Sequence, residues 1–172
     1  PGFLRPTAAF GRHRVYEADT TGYFDLVDCD ATFTGEKGEV YAAASYWLAS
    51  DLPRYREHPA IVLASGNSVW DQFVPLSAAE NVIPGASRPS ATARGRILAE
   101  MIEPNAYEAR LEATREVMVL AKVTYHPGWR GLVDNVQQEL VMLMPSYVGV
   151  RVRPGTHDVR LEYHPPNWRG PL

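Results

Sequence analysis

Cysteine is nearly absent from this chain of 172 residues, which contains Cys29 alone. A single cysteine excludes an internal disulfide and a cysteine-rich zinc site. No apolar run approaches the ~20 residues that a membrane-spanning helix needs. The 17 basic residues are scattered and the formal net charge is −3. The net charge therefore gives no electrostatic reason to expect nucleic acid or an anionic membrane surface as a partner.

Recognisable catalytic motifs are also missing. The sequence has no Gly-rich phosphate loop and no G-x-S-x-G nucleophile elbow. Its five histidines show neither H-x-H nor H-E-x-x-H spacing. We therefore predict no catalytic residue, no cofactor and no metal ligand in this chain, and we do not expect it to be an enzyme by itself.

The segment Asp28-Cys29-Asp30 does match the D-x-D pattern with which nucleotide-sugar transferases hold a divalent metal. Such a site normally follows a nucleotide-binding α/β region, and only 27 residues precede this one. Carboxylates at alternate positions of a strand share one face, so we favour a solvated acidic face over a metal site here. Calcium held by Asp25, Asp28, Asp30 or Glu36 remains an open alternative, because oxygen ligands suit calcium.

Alternating apolar residues dominate the rest of the sequence and predict short strands. The alternation predicts strands at 13–18, 23–33, 129–134, 148–152 and 157–163. Two compact apolar runs, 60–64 and 140–144, are predicted to be strands as well. Residues 105–124 favour a helix by propensity, yet Tyr107, Ala109, Leu111 and Ala113 alternate with polar residues. Periodicity therefore predicts two strands there, 106–113 and 117–125. Together these strands predict a mainly β protein, an antiparallel β-sandwich of the jelly-roll or immunoglobulin-like type.

One principal helix is expected near residues 38–52, with Val40, Ala44, Trp47 and Leu48 on one side and Pro53 enforcing its end. Residues 65–93 contain five serines, three prolines and two glycines, which predicts a long loop. We expect a single domain over 1–172. Its parts are N-terminal strands and helix at 1–64, the loop at 65–93, the regular sandwich at 94–166, and an exit at 167–172.

The C-terminal half resembles a known family in three segments. These are Tyr125-His126-Pro127-Gly128-Trp129, then Val148-Gly149-Val150-Arg151-Val152, then Pro154-Gly155-Thr156-His157 with Pro165-Pro166 after it. Their order resembles the C-terminal region of the YfhO family, bacterial polytopic membrane proteins similar to lipid-linked-sugar glycosyltransferases. The resemblance covers about residues 96–172, and His126 stands where the family has other residues.

The resemblance implies an extracytoplasmic accessory domain at the cell membrane, whose partner is the membrane-embedded part of its own parent chain. We expect membrane spans on both sides of this segment, and Trp168 beside a membrane interface. The resemblance also suggests contact with a glycan or lipid-linked sugar, for which the candidate residues are His126, Trp129 and Arg130. Two alternatives stay open: a free-standing carbohydrate-binding module, and a structural or partner-docking sandwich.

The aromatic residues give these hypotheses their chemistry. Trp47, Trp70, Trp129, Trp168 and nine tyrosines combine apolar faces with a polar group, which suits sugar rings. Core and hairpin packing explains most of them as well, because aromatic side chains dominate cores. We expect a structural role for Trp129 and a contact role mainly for His126, with Arg130 available for a phosphate.

Overall fold

The computed structural model describes residues 4–18, 20–63 and 92–165, which contain thirteen strands and one helix. The strands are β1 (Leu4–Phe10), β2 (His13–Ala18), β3 (Phe24–Val27), β4 (Thr32–Gly35), β5 (Ala60–Leu63), β6 (Gly95–Glu103), β7 (Ala106–Ala113), β8 (Val117–Thr124), β9 (Trp129–Val133), β10 (Val136–Gln138), β11 (Leu140–Leu143), β12 (Tyr147–Val152) and β13 (Gly155–Tyr163). The helix, α1, spans Lys37–Ala49. Within these ranges no helix combines the length and apolar character needed to cross a membrane.

Two large sheets pack face to face and form a β-sandwich. One has five strands in the order β10-β9-β13-β7-β6, and the other has six in the order β3-β8-β12-β11-β5-β4. Buried side chains from both sheets form the main core: Phe24, Leu26, Ala109, Leu111, Ala113, Val117, Val119, Ala121, Val133, Val148, Val150, Val152, Val159 and Leu161. The prediction of a mainly β antiparallel sandwich is confirmed.

The ambiguous stretch 105–124 forms two strands, as its periodicity predicts. In β7, Ala109 and Leu111 are buried while Arg110 between them is exposed. β8 is buried continuously from Val117 to Ala121, because both faces of the six-stranded sheet are covered at that point. Burial across the sheets therefore outweighs the helical propensity of Glu, Ala and Leu.

Helix α1 connects the one parallel strand pair of the described sheets, β4 with β5. Parallel neighbours need a crossover connection, and a helix is its usual form. The helix coincides with most of the expected 38–52 region: it begins one residue earlier, at Lys37, and ends at Ala49. At that end the Ser50 hydroxyl donates to the Trp47 carbonyl at 2.7 Å. Trp47 is buried against β4 and β5, but Leu48 is 63% exposed, so its predicted place on the packed side is wrong.

Residues 23–33 differ from the single strand that the sequence predicts. The chain forms β3 up to Val27 and resumes as β4 at Thr32, because Asp28 leaves the sheet and its backbone hydrogen-bonds to the segment before β5.

The strand predicted to reach Asp134 ends at Val133, since Asp134 and Asn135 adopt positive φ values of 52° and 65°. Two such residues in a row make the tight reversal typical of a two-residue hairpin between β9 and β10.

Several predictions lie outside the described residues. They include the loop predicted at 65–93, apart from its last two residues, and the exit at 167–172. Trp70, Pro166 and Trp168 lie there too. The last strand ends at Tyr163, two residues before Pro165.

Candidate functional site

A tight turn between β8 and β9 positions the predicted contact residues. The Trp129 amide donates to the His126 carbonyl at 3.0 Å, and the Gly128 amide donates to His126 Nδ1 at 2.9 Å. The Gly128 carbonyl in turn accepts from the His164 amide at 2.9 Å. A Cβ atom at Gly128 would lie 2.6 Å from the His164 carbonyl oxygen. Glycine therefore lets the turn lie flush against the end of β13.

Five aromatic rings meet in sequence beside this turn, and we call them the aromatic row: Tyr23, Tyr107, Trp129, Tyr163 and His126. Their successive ring centroids are 5.3, 5.8, 5.1 and 5.4 Å apart. Interplanar angles of 54° to 73° give tilted and edge-to-face contacts, which aromatic pairs prefer over direct stacking. The row is thus a packed array rather than a set of separate side chains.

Strand register explains why the row forms. Trp129 on β9 pairs directly with Tyr163 on β13, so their side chains share one face of the five-stranded sheet. Two positions further along these strands lie Gly131 and Leu161, which are buried. Trp129 and Tyr163 therefore face the same side of the sheet as these core residues, and the row lies at one end of the core.

Tyr23 is held in the row by contacts from both sheets. The amides of Tyr23 and Phe24 donate to the two carboxylate oxygens of Glu100 on β6, each at 2.9 Å. The Tyr23 carbonyl accepts from the Lys122 amide on β8 at 2.8 Å. The Lys122 ammonium lies 2.9 Å from the Asp25 carboxylate. Glu100 therefore joins the two sheets at the point where the row begins.

The two ends of the row are exposed and its middle is half-buried. Tyr23 is 44% exposed, and His126 is exposed as well. Tyr107 and Trp129 pack against the main core, and the Trp129 indole N–H donates to the Thr124 carbonyl at 3.0 Å. Trp129 consequently stabilises the sandwich while one part of its ring borders the surface.

Arg130 does not join the row. It follows Trp129 on β9, so its side chain points to the opposite face of the sheet. Its register partner is Glu162, and Arg130 is exposed. Of the three residues predicted for glycan or headgroup contact, the structure brings together His126 and Trp129 and leaves Arg130 apart.

The interpretation of Asp28 as part of a solvated acidic face is wrong. Asp28 is buried, and its carboxylate oxygens lie 2.6 Å from guanidinium nitrogens of Arg94 and of Arg115. Arg94 also donates to the Tyr55 carbonyl at 2.7 Å. Asp30, by contrast, is exposed. The first carboxylate of the D-x-D pattern is thus neutralised by two protein cations, because β3 ends there and Asp28 turns inward.

The carboxylates considered for calcium are likewise occupied or dispersed. Asp25 lies 2.9 Å from the Lys122 ammonium and 3.9 Å from the Arg56 guanidinium. Glu36 is the N-cap of α1 and takes part in a capping box with Glu39. Among the residues that the structure describes, no three acidic, His or Cys side chains are arranged to hold a metal ion.

Three titratable groups next to Asp28 have shifted pKa values. Burial, followed by the charges of Asp30 and Asp28, raises the pKa of Glu57 to about 6. Burial and the nearby Glu57 charge raise the pKa of the Cys29 thiol to about 11, so the thiol stays protonated and unreactive at neutral pH. Burial lowers the pKa of His58, whose Nδ1 lies 2.7 Å from the Met144 carbonyl oxygen.

Sequence reasoning missed most of the residues around these two features. Tyr107 and Tyr163 carried a signal, since both have the inward parity of correctly predicted strands. The sequence did not supply the register that brings them to Trp129. No sequence signal pointed to Arg94 and Arg115, because each lies more than 60 positions from Asp28 and outside any motif.

Comparison of the chain with protein-family models, with curated proteins and with solved structures yields no significant match. The family relation suggested by the turn at Pro127-Gly128 therefore stays a prediction that rests on the residues themselves.

Proposed function

We propose that this chain is a non-catalytic extracytoplasmic accessory domain of a membrane-embedded, glycosyltransferase-like protein of the YfhO kind. In this proposal its aromatic row contacts a glycan or a lipid-linked sugar. The observation that carries the proposal is the row itself, five rings in successive contact at one end of the sandwich with Tyr23 and His126 exposed. The extracytoplasmic location rests on the family resemblance of residues 96–172.

Sugar recognition suits the row for two physical reasons. Aromatic faces pack against the apolar C–H faces of sugar rings, while the tyrosine hydroxyls and the imidazole supply hydrogen bonds. In addition, Tyr107, Trp129 and Tyr163 stand on strands, and sites on strands are held more rigidly than sites on loops. The row therefore offers a preorganised apolar surface with polar groups at its border.

The surroundings of the D-x-D motif support the non-catalytic part of the proposal. Asp28 is bound by Arg94 and Arg115, which compete with any metal for its oxygens. The purified chain should therefore not transfer sugar from nucleotide- or lipid-linked donors. Turnover that disappears in Asp30→Asn, a substitution at an exposed site that should leave the fold intact, would refute this part.

An NMR titration of the purified chain tests the glycan contact. The probes are methyl glycosides of glucose, galactose, mannose and N-acetylglucosamine, and a short-chain polyprenyl-phosphate sugar. We expect at least one probe to shift the Trp129 indole N–H and the backbone amides of 126–129. The shifts should weaken strongly in Tyr23→Ala and in His126→Ala.

Tyr41→Ala is the matched control, because Tyr41 is 70% exposed on helix α1 and outside the row. Its titration should equal that of the wild type. Shifts confined to other surfaces, or no shift with any probe, would contradict the proposal. Trp129→Ala is not used as a probe, since truncating a tryptophan packed on the core is expected to cost ~3–5 kcal/mol of stability.

The parent gene separates this proposal from a free-standing carbohydrate-binding module. Membrane spans encoded on either side of this segment are expected here, whereas a gene encoding only a soluble protein would favour the module. Glycan binding by the row is common to both.

A further inference from the structure

The first two strands form a separate ribbon, which we call the β1–β2 arm (residues 4–18). Every residue of the arm is exposed. Among the described strands, β1 and β2 pair with each other and with no third strand. A two-stranded ribbon alone is only marginally stable in water. The arm therefore has two uncovered faces on which a partner would improve its stability.

Both faces of the arm carry large apolar side chains. Leu4 and Tyr16 are 40% and 49% exposed, and their cross-strand partners place them on one face. Val15 and Phe10 are 46% and 68% exposed and belong to the opposite face. Cross-strand partners share a face and neighbours alternate, so no single flat surface covers all four side chains.

The tip of the arm is basic. Arg12 and Arg14 flank His13, and neither arginine has an ion-pair partner within the described part of the chain. Over the whole arm three arginines stand against one acidic residue, Glu17, which gives a formal charge of +2. The complete chain carries −3, so the charge of the arm is opposite in sign to that of the whole chain.

We propose that the β1–β2 arm docks on an anionic phospholipid bilayer surface. A ribbon that enters the headgroup layer has lipid against both of its faces, which matches the apolar side chains on both faces of the arm. Phe10 and Tyr16 would lie at headgroup depth, where aromatic residues concentrate, with Arg12 and Arg14 against lipid phosphates. Basic residues near such a surface contribute about 1 kcal/mol each.

This inference goes beyond the proposed glycan contact and is independent of it, because the arm shares no residue with the aromatic row. It also refines the expectation from net charge. An anionic surface repels the chain as a whole but attracts the arm locally, since electrostatic effects fade beyond a Debye length of about 8 Å at physiological salt.

Vesicle co-sedimentation of the full chain tests the proposal. We expect binding to vesicles of phosphatidylcholine mixed with phosphatidylglycerol, weaker binding to phosphatidylcholine alone, and a loss of binding as salt is raised. An Arg12→Ser/Arg14→Ser variant should bind the mixed vesicles about 30-fold more weakly, the equivalent of about 2 kcal/mol. Phe10→Ser should weaken binding to both kinds of vesicle.

Arg54→Ser/Arg153→Ser is the matched control, because it removes the same charge from two exposed arginines outside the arm. It should bind like the wild type, and an equal loss in the control would assign the effect to net charge and overturn the proposal. No binding to either vesicle would overturn it too. So would a concentration-dependent dimer that the arm variants abolish, since the arm would then join two copies of the chain.

Two further measurements keep the outcomes distinct. The arm variants should melt at the wild-type temperature, because their side chains are exposed, so a lowered midpoint would show that the arm packs on the sandwich. Tyr23→Ala and His126→Ala should leave vesicle binding unchanged. Failure of the glycan contact and failure of lipid docking are thus recognised separately.

Discussion

Asp28 is the one acidic residue of the described chain whose side chain is buried. Its carboxylate is buried between Arg94 and Arg115, whose side chains are 18% and 26% exposed. Its backbone is fixed too, since its amide donates to the Arg56 carbonyl and its carbonyl accepts from the His58 amide, both at 2.9 Å. A cluster of ion pairs buried to this extent adds little net stability compared with apolar residues in the same place. Removing one of its charges, however, lowers the free energy of unfolding strongly.

Replacing Asp28 by Asn should therefore destabilise the fold strongly. Asn keeps the size of the side chain but leaves two guanidinium groups without a counter-charge, which typically costs about 3–5 kcal/mol. Urea unfolding measures this loss. Asp30→Asn removes an equal charge from an exposed site and should change the free energy of unfolding by less than about 0.5 kcal/mol. Equal effects of the two substitutions would show that the Arg94 and Arg115 contacts do not form.

At the scale of elements, helix α1 shows how burial divides neighbouring residues. Trp47 is 3% exposed, and its indole N–H donates to the Glu57 carbonyl at 2.9 Å. Leu48, its neighbour, is 63% exposed. The helix is apolar nearly all round, so its sequence does not mark which side faces the sheet.

We expect Leu48→Lys to change the free energy of unfolding by less than about 0.5 kcal/mol, since the new charge stays in water. Trp47→Ala should cost ~3–5 kcal/mol through a cavity under the helix. Chemical denaturation of both variants measures the contrast. A large loss in Leu48→Lys would mean that the side chain is covered in solution.

The strands that the sequence predicted show either a clear alternation or a compact apolar run, such as 60–64 and 140–144, and those it missed show neither. Residues 106–113 alternate cleanly, which was enough to reject the helix that their composition favours. β6 was not predicted, because a register shift between Ile97 and Ala99 interrupts its alternation of buried and exposed residues. β1 was not predicted, because Pro6 and its small neighbours show no alternation of apolar and polar residues.

The candidate site was predictable only in part, for a related reason. Aromatic side chains commonly fill cores, so Trp129 was correctly expected to pack. Alternation assigns a side chain to a face. It does not fix which strands are neighbours, and the meeting of Trp129 with Tyr107 and Tyr163 depends on that order. The Arg94 and Arg115 contacts to Asp28 depend on the three-dimensional path of the chain and have no local signature.

For the molecule as a whole, Glu57 and His58 influence stability in opposite directions as pH changes. Folding raises the pKa of Glu57 from 4.5 to about 6, so the folded chain binds a proton at Glu57 more readily than the unfolded chain does. The free energy of unfolding therefore decreases as pH rises from about 4.5 to 6. Burial lowers the pKa of His58, so the folded state loses stability as pH falls below about 6.5. The two effects partly cancel in the wild type.

Glu57→Gln should remove one of these effects and reveal the other. Gln keeps an oxygen for the Asp30 amide, which donates to Glu57 at 2.7 Å. Relative to the wild type, the variant should gain roughly 2 kcal/mol above about pH 6, because the buried charge is gone. The gain should vanish below about pH 4.5, where Glu57 is protonated in both states. Urea unfolding across this range measures the difference, and a gain that does not depend on pH would contradict the assignment.

The order of the six-stranded sheet also has a consequence for how the chain folds. Its three middle strands, β8, β12 and β11, come from the C-terminal half, while β3 flanks them on one side and β5 with β4 on the other. During synthesis β3 therefore emerges long before its neighbour β8, and it stays without a sheet partner until Val117 and later residues follow. β4 and β5 can pair with each other, but they join the rest of the sheet only through β11. Pairings across such long sequence separations form slowly. Unpaired strand edges invite aggregation in the meantime, so synthesis is most vulnerable to aggregation in the interval before β8, β11 and β12 have emerged.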